Sequence, residues 1–411
     1  MSTAPENEAT ITRLGSHGDG IAETPAGPQY VPFALPGERW QVGQTQPPLC
    51  TVRSPQRQAP VCRHFGLCGG CRAQHMAPDL YRQWKQDLVV EAFRRRGLDP
   101  PVAPMRGVAP GARRRAVFGV ARVGGRIVLG FHERGRHALV DLNECAVLDP
   151  AIVAVLQGLR TIADTAFPAA VPADARLVAT RTGTGLDVAA TGAGRDFSAA
   201  ARMSLARSAQ AARLVRLTID GDVFFAQGEP TITFGKAAVV LPPGAFLQAT
   251  SEAEATMVLE VMSAVGKARR VADLFCGLGT FTFPLAAGAR VLAADSEPRA
   301  LAALATAARR TQGLKPIETR LRDLLREPLS PNELAAFDAV VFDPPHGGAK
   351  AQAERLARSR VPLVVAISCN PATLARDARI LIDGGYDLQR VRPIDQFLFS
   401  AETEAVAVFR R

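Results

Sequence analysis

A chain of 411 residues exceeds the size at which one hydrophobic core stops growing, so length alone implies two or three domains rather than a single small module. Apolar residues at 47% and charged residues at 21% match soluble globular averages and exclude a largely disordered chain. Forty-nine basic against thirty-nine acidic residues leave a formal charge of +10, which favours a polyanionic partner. In chain order, the opening Met1-Ser2-Thr3-Ala4-Pro5-Glu6 lacks a basic and then apolar signal. No later uncharged apolar run approaches the roughly 20 residues needed to cross a bilayer. A cytoplasmic monomer without a membrane partner is expected, with a disordered tail over residues 1–10. From Ile11 to about Val52, short apolar runs alternate with Gly15, Gly18, Gly20, Gly27, Pro32, Pro36 and Gly37, the punctuation of tight turns. The expected product is a small β-barrel over residues 11–55.

The polar stretch Arg53-Ser54-Pro55-Gln56-Arg57-Gln58 reads as a linker, and Cys62, Cys68 and Cys71 follow it. Tyr81 to Arg96 has helical spacing, with Trp84, Leu88, Val89 and Phe93 on one face and Arg94, Arg95 and Arg96 at the end that suits the helix dipole. Segments Ala116–Val120 and Arg126–Phe131, joined through Gly124-Gly125, predict antiparallel strands in an α+β central domain over residues 56–240. Beyond Leu241 a helix from Glu252 to Val265 precedes apolar strands that alternate with alanine-rich helices. That alternation predicts an α/β doubly wound, Rossmann-like domain over residues 241–411.

Arg270-Val271-Ala272-Asp273-Leu274-Phe275-Cys276-Gly277-Leu278-Gly279-Thr280 is an apolar strand ending in a glycine turn that opens a helix. Such a turn lets backbone amides approach a cofactor at the carboxyl ends of parallel strands, and here it lacks the dinucleotide spacing of glycines. The next strand ends at Asp295, placed to accept hydrogen bonds from ribose hydroxyls, and Asp323 could reach an adenine edge. Taken singly, each aspartate could equally cap a helix. Phe337–Phe342 is a buried strand that delivers Asp343 to the rim before Pro344 and Pro345. Val364–Ser368 places the thiol of Cys369 at the same rim, before Asn370-Pro371. Buried cysteines are usually inert. One that ends a strand in a donor-binding domain is a candidate nucleophile.

These segments, with Phe246-Leu247-Gln248, resemble the RNA uracil-C5 methyltransferases that carry an iron-sulfur cluster. The resemblance spans most of the chain, beginning at Gly18-Asp19-Gly20-Ile21-Ala22, which looks like a shortened TRAM domain of OB-like type. It implies S-adenosylmethionine as methyl donor, with Asp273, Phe275, Gly277, Gly279, Thr280, Asp295 and Asp323 serving it, and Gln248 and Asp343 lining the donor and uracil sites. It also implies that the Cys369 thiolate adds to uracil carbon 6, because carbon 5 alone is a poor nucleophile, and that Glu404 then removes the carbon-5 proton. The chain departs from the family pattern at His346, Thr250, Leu398, Ser400 and Glu402, where arginine, asparagine, proline, threonine and histidine are usual. Glu402 is therefore a rival to Glu404 for the base.

Cys62, Cys68 and Cys71, with the remote Cys145, could hold zinc or a [4Fe-4S] cluster, or remain free thiols. Structural zinc usually takes two close pairs, so three ligands within ten residues plus one remote fit iron-sulfur better, and the resemblance implies the same four ligands in a structural cluster. Arg113-Arg114-Arg115, Arg134 and Arg136 predict a path for an RNA backbone, and Phe131 and His132 are candidates to stack on a base, although Phe131 suits a core role equally. Large-subunit ribosomal RNA is the expected substrate. Transfer RNA, a cytosine carbon-5 methyltransferase and a noncatalytic RNA-binding or assembly factor remain as alternatives.

Overall fold

The computed structural model describes residues 8–25, 27–41, 49–194 and 196–411; residues 1–7 of the expected tail lie outside this set. Strands Glu8–Leu14, Gly20–Thr24, Gly27–Val31, Arg39–Gln41 and Leu49–Val52 form an antiparallel sheet with Glu8–Leu14 at its centre. Its small core is Ala9, Ile11, Ala22, Val31 and Ala34. Glycine is required at Gly20, because a Cβ there would lie 2.7 Å from that of Ala34. Among the described residues no pairing joins the outer strands Gly27–Val31 and Leu49–Val52. The sheet is tied to the linker: the buried Glu38 carboxylate accepts hydrogen bonds from Trp40 at 2.9 Å and Arg57 at 2.6 Å.

The predicted hairpin is present as Arg115–Val123 paired with Arg126–His132, with Gly124 and Gly125 at φ of 56° and 80°, the left-handed values that a two-residue turn demands. It belongs to a seven-stranded sheet completed by Leu139–Asp141, Arg176–Arg181, Leu186–Thr191, Leu214–Ile219 and Asp222–Ala226. Helices Leu156–Ala166 and Ala199–Ala211 bury Leu159, Ile162, Leu205 and Ala209 against Phe118, Leu129 and Leu217 of this sheet.

The C-terminal domain is the predicted α/β unit. Its strands are β1 (Arg270–Leu274), β2 (Arg290–Asp295), β3 (Ile317–Leu321), β4 (Ala339–Phe342), β5 (Leu363–Ser368), β6 (Asp387–Asp395) and β7 (Glu404–Arg410). They lie in the order β3-β2-β1-β4-β5-β7-β6, and β7 runs antiparallel to its neighbours. The β1, β2, β4 and β5 strands are almost wholly apolar because both sheet faces are covered. Along β5, Val364 and Ala366 face one core while Val365 and Ile367 face the other, which contains Met257 and Val261 of helix Ser251–Val265. The chain order reverses between β1 and β4, which opens a crevice at their carboxyl ends.

Segments ahead of residue 241 also pack on this domain. The hairpin Thr231–Phe234 with Ala237–Val240 shares a core with Leu304 and Ala307 of helix Pro298–Arg310, and Arg106–Gly107 pairs with the end of β6. Helix Pro78–Arg94 buries Val89 and Phe93 beside Leu374 and Leu381 of helix Pro371–Asp383. No described helix is long and apolar enough to cross a membrane.

One buried residue on the Pro78–Arg94 helix breaks its apolar pattern. Lys85 has no exposed surface; its Nζ lies 2.8 Å from the Asp395 carboxylate and donates to the carbonyls of Ser400 and Glu402. The Tyr81 hydroxyl donates to the other Asp395 oxygen and accepts from the Phe399 amide at 2.8 Å. Removing the cation leaves a buried, uncompensated carboxylate, at about 3–5 kcal/mol. Lys85→Met should therefore lower the urea unfolding midpoint, and adding Asp395→Asn should recover part of the loss. An unchanged midpoint in the single variant would show that the pair contributes little.

Candidate active site

The turn after β1 is bent by three residues in the left-handed region: Phe275 at φ 60°, Gly277 at 53° and Gly279 at 98°. A phenylalanine there is unusual and marks local strain. Gly279 is required by packing, since a Cβ would meet the Phe283 ring at 2.7 Å, whereas the space beside Gly277 is open. Thr280 continues the turn into the helix Thr282–Ala286. Asp273 is buried at the end of β1, where Oδ2 accepts from the Thr282 hydroxyl at 2.5 Å and Oδ1 has no partner. Burial pushes its carboxyl up to about 7 against the Thr282 hydrogen bond, and Asp343 and Asp295 add repulsion.

Asp295 braces the turn by accepting the Gly277 and Glu297 amides, each at 2.8 Å. Asp323 accepts from the Leu325 amide at 3.1 Å in the turn after β3.

Gln248, Asp343 and Glu404 come together through Gln396, a residue that the sequence reading did not single out. The Gln248 amide donates to Asp343 at 2.7 Å, and the Gln396 amide donates to the Gln248 carbonyl at 2.9 Å and to Glu404 at 2.5 Å. Gln396 is held in turn by the Ala249 amide at 3.0 Å. Burial pushes the Asp343 carboxyl up to about 7, only partly opposed by Gln248. Burial and then Asp343 hold Glu404 well above the ordinary carboxylate range. One Glu404 oxygen, Oε1, is buried without a partner, whereas Glu402 is exposed and its carbonyl accepts from Lys85.

Cys369 stands half-buried at the end of β5. The pairing Ser368↔Ala405 between β5 and β7 sets Cys369 and Glu404 at adjoining strand ends. Its Sγ lies 3.7 Å from His346 Nδ1, and Asn370 caps the following helix by accepting the Ala372 amide at 3.0 Å. Burial, with Glu404, Asp343 and Glu402 nearby, pushes the thiol up to about 12.

Cys62, Cys68, Cys71 and Cys145 line a separate cavity of about 400 Å³, walled also by His64, Arg113 and Phe131. Among the described residues, no three of His, Cys, Asp and Glu are close enough to share one metal ion. Cys276 is buried in the core and Cys50 lies in the N-terminal sheet, as ordinary thiols.

The arginine run is not a free basic face. Arg114 is buried, ion-paired with Glu254 at 2.5 Å and bonded to the Gln248 carbonyl at 3.0 Å, while Arg115 donates to Ala245 at 3.0 Å. These contacts fasten the central sheet to the segment carrying Gln248. Arg134 pairs with Asp19 and covers the Phe33 ring at 4.4 Å, and Phe131 stacks on Phe118 at 5.4 Å in the central core.

Residues 236–361 match the family model described as the methyltransferase small domain. The whole chain is 46% identical over 415 residues to an uncharacterized RNA methyltransferase of Brucella suis, covering 100% of this chain and 99% of the relative. It is also 33% identical to the 23S rRNA (uracil(1939)-C(5))-methyltransferase RlmD of Chromohalobacter salexigens, covering 98% of this chain and 89% of that protein. The chain belongs to this RNA methyltransferase family. Its fold matches that of the Pyrococcus abyssi tRNA (uracil-54, C5)-methyltransferase, solved with S-adenosyl-L-homocysteine, with a TM-score of 0.75 at 21% identity over 99% of this chain and 100% of that one.

Asp273 gives this methyltransferase a pH signature. The native state retains a proton that the unfolded chain releases, so stability should fall as pH rises from the ordinary 3.8 to about 7. Asp273→Asn should reduce the slope of the urea midpoint across that window, with Asp343 and Glu404 supplying the remainder; equal slopes in parent and variant would contradict the shift.

Proposed function

We propose that this methyltransferase methylates carbon 5 of a uridine in RNA, with 23S ribosomal RNA as first substrate, using Cys369 as nucleophile and Glu404 as base. The supporting observation is the pairing of β5 with β7, which sets a thiol and a buried carboxyl side by side, within the field of Asp343. The 33% identity to RlmD favours ribosomal RNA. A target base must leave its stack to expose the face that the sulfur attacks.

The residues divide the chemistry as follows. The Cys369 thiolate forms a bond to carbon 6, and the displaced π electrons collect on carbon 5 and the adjoining carbonyl as an enolate. S-adenosylmethionine, when bound, supplies the methyl group that carbon 5 acquires. Glu404 then takes the carbon-5 proton, and the electrons of that bond restore the double bond as the sulfur leaves carbon 6. Burial raises the affinity of Glu404 for a proton, which makes its ionised form a stronger acceptor. Gln396 aims the carboxyl, and Gln248 with Asp343 lines the uracil and donor sites. The donor fits the crevice beside β1 and β4: Gly277 leaves open space there, and Asp273 points an unpartnered oxygen from β1. Asp273, Phe275, Gly277, Gly279, Thr280 and Asp295 would hold it, and Asp323, engaged in its turn, would contribute at the rim.

Cys62, Cys68, Cys71 and Cys145 are read as the ligands of a [4Fe-4S] cluster. Four thiols around one cavity of about 400 Å³, three of them within ten residues and one remote, suit a cluster better than one zinc. Such a cluster would cross-link the loop after the linker to the end of the central sheet. The N-terminal sheet, with Tyr30 exposed on an outer strand, is read as a shortened TRAM-type RNA-binding module.

Methyl transfer from labelled donor to 23S RNA should be lost in Cys369→Ala. Glu404→Gln should accumulate a covalent protein–RNA adduct that still carries methyl and releases it slowly. Full transfer by Cys369→Ala would overturn the nucleophile, and release at the parent rate by Glu404→Gln would place the base elsewhere. Anaerobically purified protein should be brown, with its visible absorption lost in Cys68→Ala; a colourless protein containing zinc would reject the cluster.

A further inference from the structure

The reading of Cys369 as nucleophile leaves a difficulty at the sulfur. Asp343 faces it from the loop after β4, and Glu402 and Glu404 face it from the C-terminal segment, so each of these carboxyls, when ionised, opposes a negative sulfur. One donor side chain is within reach. His346 sits three residues beyond Asp343, where the resembling family usually has arginine, and its Nδ1 is 3.7 Å from Cys369 Sγ.

The hydrogen bonds around Asn370 decide what that ring nitrogen carries. Asn370 Oδ1 accepts the Ala372 amide at 3.0 Å as the helix cap. The cap fixes the amide's orientation, so its NH₂ group is the end turned toward His346. That group lies 3.1 Å from His346 Nε2 and 3.3 Å from the His346 carbonyl. An NH₂ group only donates, so Nε2 must accept. In an uncharged imidazole the proton then resides on Nδ1, the nitrogen that faces the sulfur.

We propose that His346 is a catalytic residue of this methyltransferase that donates a hydrogen bond from Nδ1 to the Cys369 thiolate, its tautomer set by the capping residue Asn370. This role rests on the reading of Cys369 as nucleophile. His346 is a donor and not the base for the thiol: the thiol proton leaves to water, and His346 keeps its own proton throughout. When the sulfur is expelled from carbon 6, the electron pair returns to a sulfur that already faces a donor.

The test reads the thiol directly. In the full chain, the rate at which iodoacetamide alkylates Cys369 is followed by mass spectrometry of its peptide, across about pH 6 to 10, for the parent, His346→Ala and His346→Asn. Loss of the donor should slow alkylation at neutral pH about tenfold and move the profile up by about one pH unit. The asparagine amide, which can place a donor near Nδ1, should restore the rate to within about threefold of the parent. His346 is exposed, so neither change disturbs the core. An unchanged profile in His346→Ala, or an asparagine variant as slow as alanine, would overturn the proposal. Neither result depends on methyl transfer, so a failed nucleophile reading, seen as activity in Cys369→Ala, is distinguishable from a failure here.

Discussion

The buried pair of Lys85 and Asp395 is the constraint around which the candidate active site is assembled. Asp395 ends β6 and Gln396 follows it immediately, so the position of the Glu404–Gln396–Gln248–Asp343 chain is inherited from where Asp395 is anchored. Lys85 also holds two carbonyls of the connection between β6 and β7, and Tyr81 holds the Phe399 amide. A charge so enclosed is stable only in one geometry, because any displacement leaves an ion buried without its partner.

The same low-dielectric surroundings explain the acid-base character of the site. Asp273, Asp343 and Glu404 are crowded at the carboxyl ends of β1 and β4 and the start of β7, and burial moves all three upward. Neutral carboxyl groups tolerate this crowding where three charges would not. Arg114, a buried cation bonded to the Gln248 backbone carbonyl, is already neutralised by Glu254 and does not relieve it.

Much of the C-terminal domain was legible in the sequence because the relevant signals are local. An unbroken apolar run such as Val364–Ile367 reads as a strand covered on both faces, and Gly277 and Gly279 mark a turn wherever they occur. Cys369 and Glu404 could be named individually, and Gln248 and Asp343 with them. Their common partner Gln396 could not, since a glutamine beside a strand end has no distinctive pattern. Lys85 was hidden for a related reason: helical spacing placed it near Trp84 and Val89, but its counter-ion lies about three hundred residues away. The arginine run shows the converse error, in which a local excess of charge suggests a solvated face while Arg114 is consumed by long-range pairing.

The Phe399 carbonyl accepts amides from both Arg72 and Ala73, immediately beyond Cys71, at 2.6 Å and 3.1 Å. Together with Tyr81, whose partner Asp395 is 314 residues distant, this joins an early part of the polypeptide to a late one. Contacts with such separation form after local structure, once loop-closure entropy has been met. During synthesis the donor-binding strands β1 to β5 can be complete while the segment after Cys71 still has no Phe399 to dock on. The Glu404 carboxyl, which follows Phe399 in the chain, is therefore set in place only after those strands, and the two ends of its hydrogen-bonded chain are joined by the same docking event.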